Sequence, residues 1–446
     1  MTISLIDVFG FIKEDSREHM TRHTTGQTWS PTRRGFLSTL GVASAALALP
    51  ALQSCSSGSR RTILFYLSKR EAVPYFRKLQ AQFAASQSDY DVLHDMSPNL
   101  SASFVRHSPP DLGMLNYNLE MARFMERGAL SDLSHLPEAA RIRDNIVQLS
   151  HAYPQYEDRT SVIPYSAMAA SVIYNRRIFD EHSLEVPRRW DDFVGVCETL
   201  QGRGVTPIYG TFMDPWTVAQ GWFDYPVGGM VDVADFYAKM NHIGPDVGPD
   251  SEVSFQRTLL EPVKKMVALT RFTNSDAAGR TYGDGNTAFA QNKAAMIFQG
   301  PWAFSEFEKS NADQDLGTFP LPVTNDPNDL KVRVNIDLAL WIPEMSDTQD
   351  GAKDLLQYLM RPDIQHPYNE QFLGFGTTND APDATDQRIV GMAEYYDHGR
   401  FYMGASQFIP RNIPYENYLQ SIVLGADPEA TLKQLDNDWA RLAFRD

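Results

Sequence analysis

The sequence predicts an α/β protein with a mostly parallel sheet, on three observations. Strand and helix patterns alternate from residue 62: a strand over 62–67, an amphipathic helix over 73–86 with Phe76, Leu79 and Phe83 on one face, then strands over 90–93 and 111–115. Such βαβ alternation needs crossover helices and therefore builds parallel strands. The run 286–305, NTAFAQNKAAMIFQGPWAFS, passes from a helix end at 287–291 into a short apolar strand at 293–298, which Gly300-Pro301 breaks. Pro301 suits the first turn of the helix that follows. The third observation is the clean alternation of 332–342, with Val332, Val334, Ile336, Leu338, Leu340 and Ile342 on one face. Arg333, Asn335, Asp337, Ala339 and Trp341 fall on the other. With 446 residues and 43% hydrophobic content the chain can bury a large core and should form two or three domains.

The formal net charge of −16 argues against nucleic acid and against an anionic membrane surface, since both are met by basic patches that release counterions. An uncharged solute is the better match. Cys55 and Cys197 are the only cysteines, so no disulfide framework or Cys-based zinc site can be built. Cys197 shares helical spacing with Phe193 and Leu200 and belongs in a core. No cofactor and no metal are predicted.

Residues 1–55 are assigned to an export signal, read from 21–55, with Met20 as an alternative start. Thr32-Arg33-Arg34-Gly35-Phe36-Leu37 resembles the twin-arginine consensus, and the Ala-rich segment 36–52 is too short for a membrane span. Leu52-Gln53-Ser54-Cys55 resembles a bacterial lipoprotein box, which would make Cys55 the lipidated mature N-terminus. Cleavage nearby without lipid is the alternative. Residues 56–61 are a polar tether.

Along the folded part, the loops after the first and third strands hold Ser68-Lys69-Arg70-Glu71 and Asn116-Tyr117-Asn118. Polar groups at the carboxyl ends of such strands are where an open α/β sheet meets a ligand, although each is equally explained as ordinary solvated loop. Trp302 occupies the same kind of position, at a helix start beyond a strand; a plain core role fits it as well. Helices are expected over 185–200, after a turn, and over 252–271, 347–359 and 363–372, with a strand at 207–209. Trp216, Trp222, Phe223 and Tyr225 make the most aromatic region; core packing explains Trp222 and Phe223, whereas a Trp in the loop Asp214-Pro215-Trp216 is harder to bury. Asp284-Gly285-Asn286 reads as a helix cap and not as a calcium loop, because the remaining acidic ligands are missing. Asp427-Pro428 caps a final helix with Leu432, Leu435, Trp439 and Leu442 as its apolar stripe.

Phe289, Ala294-Ala295-Met296 and Gly300-Pro301-Trp302 together resemble the most recognisable segment of extracellular solute-binding protein family 1. These are substrate-binding lipoproteins of sugar ABC transporters, of the maltose-binding-protein class. Asn292 departs from that pattern, which commonly has Gly there. The resemblance covers residues 60–446 and implies a periplasmic-binding-protein-like α/β fold: two lobes, a hinge of crossing segments and a ligand cleft between them. It puts 62–166 and 333–374 in the first lobe and 167–332 and 375–446 in the second, with crossings at 163–175, 332–342 and 374–377. It further implies that the Trp302 indole lies against a bound sugar, and that Asp214 and Trp216 belong to a sugar-stacking loop. Lys69, Arg70, Asn116 and Asn118 would supply contacts from the first lobe. Asn335 and Asp337 would lie near the cleft mouth, or else form a hinge network. Met168 stands where the family often has an acidic ligand residue.

The implied partners are a carbohydrate and the permease subunits of an ABC importer. The expected state is a monomer, exported and held at the outer face of the cell membrane through its lipid only. Two other readings stay open. A binder of ferric ion or another anion-type ligand could use Tyr395-Tyr396, though no further hard ligands are placed beside them. A secreted carbohydrate-active enzyme would need opposed carboxylates or a nucleophile–base motif, and the sequence names neither.

Overall fold

A computed structural model of the chain describes residues 60–444 other than 98, 155 and 157. The expected signal and its Cys55 lie outside the described residues. The tether ends earlier than expected, because Arg61 already pairs with Tyr90 in the sheet.

Ten strands are arranged, in chain order, as β1 (Arg61–Tyr66), β2 (Tyr90–Asp95), β3 (Leu112–Leu115), β4 (Ile163–Asn175), β5 (Thr206–Tyr209), β6 (Ala294–Gln299), β7 (Leu316–Phe319), β8 (Val332–Trp341), β9 (Phe375–Gly376) and β10 (Phe401–Tyr402). Their spatial order is β2-β1-β3-β8-β4-β6-β5, with β7 and β9 also on β4 and β10 on β8. The outer pairs β1–β2, β1–β3 and β5–β6 are parallel, as the βαβ alternation requires. The centre is antiparallel, which corrects the expectation of a mostly parallel sheet: β8 runs against β3 and β4, and β4 runs against β6, β7 and β9. The physical reason is that β4 runs from one sheet into the other and meets antiparallel partners in both, a task no local strand–helix pattern records.

The long strand β4 belongs to both sheets. From Ile163 to Ala170 it pairs with β8, with register shifts around Ser166, and from Ser171 to Asn175 it pairs with β6 and β7. Every residue of it but Tyr174 is buried. Nor does β8 have a solvent face: among its residues only Asn335 is half-buried and the rest are buried, Arg333 included. The two faces that alternation separates are thus both covered, and Arg333 is accommodated by a buried ion pair, described below.

The helices follow their sequence signals closely. Val73–Ser86 buries Val73, Phe76, Leu79, Gln80 and Phe83, and a Pro stands in its first turn. The other expected helices are found at Trp190–Gly202, Phe255–Thr270, Gln349–Leu359 and Pro362–Phe372. In the last helix, Pro428–Leu442, Asp427 caps by accepting from the Ala430 backbone N–H at 2.8 Å. Asp436 on that helix accepts from the Phe255 and Gln256 N–H groups at 2.6 and 3.1 Å, capping Phe255–Thr270 from outside. The C-terminal segment is thereby tied to the body that holds β5 and β6.

The central run differs in one detail. The cap of helix Tyr282–Ala290 is Thr281, and Asp284 stands at the third position, where its carboxylate closes a capping box. The expectation of 284–286 as the cap was therefore one turn late. Asn292 adopts the left-handed conformation at φ 60°, which Asn tolerates better than most non-glycine residues, and its side chain accepts from Asn175 Nδ2 at 2.7 Å.

Candidate ligand cleft

A cleft of about 1420 Å³ opens over the antiparallel centre of the sheet. Its first wall is the pair of loops beyond the parallel strands β1 and β3, which bring Ser68, Lys69, Glu71 and Asn116–Leu119, followed by Glu120 and Arg123 on helix Leu119–Glu126. Asn118 caps that helix, its Oδ1 accepting from the Met121 N–H at 3.1 Å. The floor is Met168 of β4 with Arg333, Asn335 and Asp337 of β8. The opposite wall is Trp302, Gln220 and the segment from Ser406 to Asn417. Gln220 projects from a π-helical turn, Val218–Phe223, a distortion that recurs at functional sites.

Charges at the floor are paired before any ligand arrives. Lys69 forms an ion pair with Asp337, which is only 3% exposed, and Asn116 Nδ2 donates to the other oxygen of that carboxylate at 3.1 Å. These contacts tie both loops of the first wall to the crossing strand. Arg333 is 2% exposed, and its Nε donates to Asp224 Oδ2 at 2.8 Å. Asp224 is fully buried and accepts in addition from the backbone N–H and the hydroxyl of Ser406, each at 2.8 Å. Burial pushes the Asp224 carboxyl above its ordinary value, against the pull of Arg333 and Ser406. Gly404 makes this packing possible: a Cβ there would lie 2.1 Å from Asp224 Oδ2. Arg333 Nη1 donates to Asn335 Oδ1 at 3.2 Å and so orients the most accessible residue of the strand.

Trp302 follows β6 in a short helical turn, half-buried against the core, with its indole N–H donating to Gln299 Oε1 at 3.1 Å. The ring lies across its own backbone, since a Cβ on Gly300 would meet Cζ3 at 2.1 Å.

Of the residues singled out from sequence, Trp302, Lys69, Asn116, Asn118, Asn335 and Asp337 line one cleft. Trp216, Asp214 and Arg70 do not. Trp216 packs edge-on against Tyr282 at 5.0 Å between ring centroids, and Asp214 accepts from the Tyr282 N–H at 2.6 Å. The Tyr282 phenol is pushed up to about 12, chiefly by burial, with Glu306 and Glu71 adding to it; Glu71 belongs to the first wall. Arg70 is exposed between Lys69 and Glu71. Sequence reasoning missed Arg333, Gln220, Arg123 and the segment 406–417. The prolines at 410 and 414 around Arg411-Asn412 are a loop signal that could have drawn attention there. Tyr396 lies away from the cleft, its hydroxyl donating to the Gly376 carbonyl at 2.9 Å beside the third crossing.

Two sheets joined by crossing strands around an open polar cleft define a two-lobed ligand-binding fold. Residues 71–366 match the family described as bacterial extracellular solute-binding protein, and the chain belongs to that family. It is 23% identical over 339 residues to a multiple sugar-binding protein of Streptococcus mutans, covering 73% of this chain and 77% of the relative. Among solved structures, apo RafE of Streptococcus pneumoniae superposes with a TM-score of 0.76 at 19% identity, covering 86% of this chain and 98% of that one. RafE in complex with raffinose gives 0.73 at 19% identity, covering 85% and 99%.

Proposed function

We propose that the chain binds a sugar or oligosaccharide in the cleft between its lobes and delivers it to the permease of an ABC importer. One observation carries this most: a half-buried Trp face stands over a floor of pre-paired polar side chains in a cleft of about 1420 Å³. Aromatic rings take the apolar face of a sugar at little entropic cost, while fixed donors and acceptors read its hydroxyls. Lys69, Asn116, Asn118, Asn335, Asp337 and Trp302 are the contacts in the open cleft, and Arg70, Asp214 and Trp216, which lie outside it, join on closure.

The lobes are 62–166 with 333–374 and 167–332 with 375–446, a division supported by the change of partners along β4. Binding needs no chemistry, and the chain acts as a carrier and not as an enzyme. Cys55 carries a lipid that holds the monomer at the outer face of the membrane. Among the described residues no helix is long and apolar enough to cross one.

A thermal-shift screen of mono- and oligosaccharides tests the reading, because a ligand that binds only the folded state stabilises it by RT ln(1 + [L]/Kd). At least one oligosaccharide should raise the melting temperature in proportion to the logarithm of its concentration. A screen without a single responder counts against carbohydrate as the ligand.

A further inference from the structure

The cleft's charges are not evenly spoken for. Asp337 and Glu71 share Lys69, Glu71 at 3.8 Å, and Asp337 also accepts from Asn116, while Glu120 and Glu416 keep their charge and accept from neutral hydroxyls, Ser101 Oγ at 2.6 Å and Tyr415 at 3.4 Å. Burial also pushes the Glu416 carboxyl above its ordinary value, against the pull of Tyr415 and Arg411. The lining cations divide differently. Lys69 and Arg333 are held by Asp337 and Asp224, whereas the guanidinium groups of Arg123, half-buried on helix Leu119–Glu126, and of Arg411, exposed on the opposite wall, make no hydrogen bond or ion pair among the described residues. Arg411 reaches Glu416 only through space. Beneath them Arg333 is fixed on two edges, by Asp224 and Asn335, and its Nη2 has no hydrogen-bond partner among the described residues.

We infer that the cleft is built for an acidic oligosaccharide, one that carries a carboxylate on at least one ring. Resting on the carbohydrate reading above, the inference narrows it to a substrate class. An uncommitted guanidinium pairs with a carboxylate through two parallel hydrogen bonds, a geometry that a neutral hydroxyl cannot match. Two such groups on facing walls, over a third on the floor, give a uronate chain a charged contact from each lobe. The net charge of −16 does not oppose this, since a cleft with low-dielectric walls sets its own local field.

The test titrates the full chain with oligomers of galacturonate, glucuronate and mannuronate, each beside its methyl ester, and with raffinose, by calorimetry at low and high salt. One acidic oligomer should bind at least about tenfold tighter than its ester, the worth of one charge-assisted hydrogen bond. That preference should shrink at high salt, and it should collapse in Arg123→Gln or Arg411→Gln. If raffinose or the esters bind and no acid exceeds its ester, the acidic specificity is wrong and the carbohydrate reading stands. If no saccharide of either kind binds, both fall. A preference for the acid that survives both substitutions also overturns the assignment, because the charge is then read elsewhere.

Discussion

Trp302 lines the cleft and packs against the core at once, so its two roles separate on one substitution. Trp302→Ala should stay folded and lose well under the roughly 3–5 kcal/mol that truncating a fully buried Trp costs. Binding of a sugar that stabilises the wild type should weaken by about 1–3 kcal/mol. Unchanged affinity, or a collapse of stability to core-like values, would remove the indole from the ligand surface. Trp216→Ala should lose less, because that ring packs against Tyr282 outside the open cleft. At the other end of the chain, Cys55→Ser should abolish metabolic lipid labelling and release the protein into medium or periplasm; an intact mass without acyl groups on the wild type would refute the anchor. The cleft residues on the first wall were legible because a polar cluster directly after an apolar strand marks a carboxyl end. Arg333 was not, because a charged residue in an alternating strand reads as solvent-facing until its buried partner is known.

At the scale of elements, the ion pair Arg333–Asp224 joins β8 to helix Asp224–Met230 and, through Ser406, to the wall segment beyond β10. A buried pair contributes little net stability against an apolar replacement, but removal of one partner strands the other charge away from water. Asp224→Ala should therefore cost about 3–5 kcal/mol in denaturant unfolding of the ligand-free protein. The double variant Asp224→Leu with Arg333→Met should recover much of that stability while disturbing ligand binding, since Asn335 loses the donor that orients it. Equal loss in the single and double variants would show that packing, not charge, carries the contact. Helices were the most legible elements, because caps and stripes such as Asp427-Pro428 and Phe76–Leu79–Phe83 act within a few residues. Strand direction was least legible, since it depends on partners far apart in the chain.

For the whole molecule, β4 runs through both sheets, with β8 and β9 paired to its first half, an arrangement in which lobes can rotate as rigid bodies while each sheet stays paired. A ligand shifts such an equilibrium only through its greater affinity for the closed form, which contacts on both walls would supply. Small-angle scattering with a thermally stabilising sugar at saturation should show a smaller radius of gyration than the free protein. No change would argue that the hinge does not close in solution.

The sequence by itself determined the fold class, most helices, the run through Trp302 and the polar groups after β1 and β3. All of these are encoded by short-range periodicity, breakers and caps acting within a turn or two. Only the tertiary structure decided that the sheet's centre is antiparallel, that Arg333 is buried on Asp224, and that 406–417 forms the second wall. It also decided that Asp214 and Trp216 stand outside the open cleft while Arg123 and Arg411 stand inside it. Those outcomes depend on pairings between residues more than a hundred positions apart, such as Arg333 with Asp224 and Lys69 with Asp337. A charge's burial and its partner are set by which distant segment packs over it, and local pattern carries no record of that.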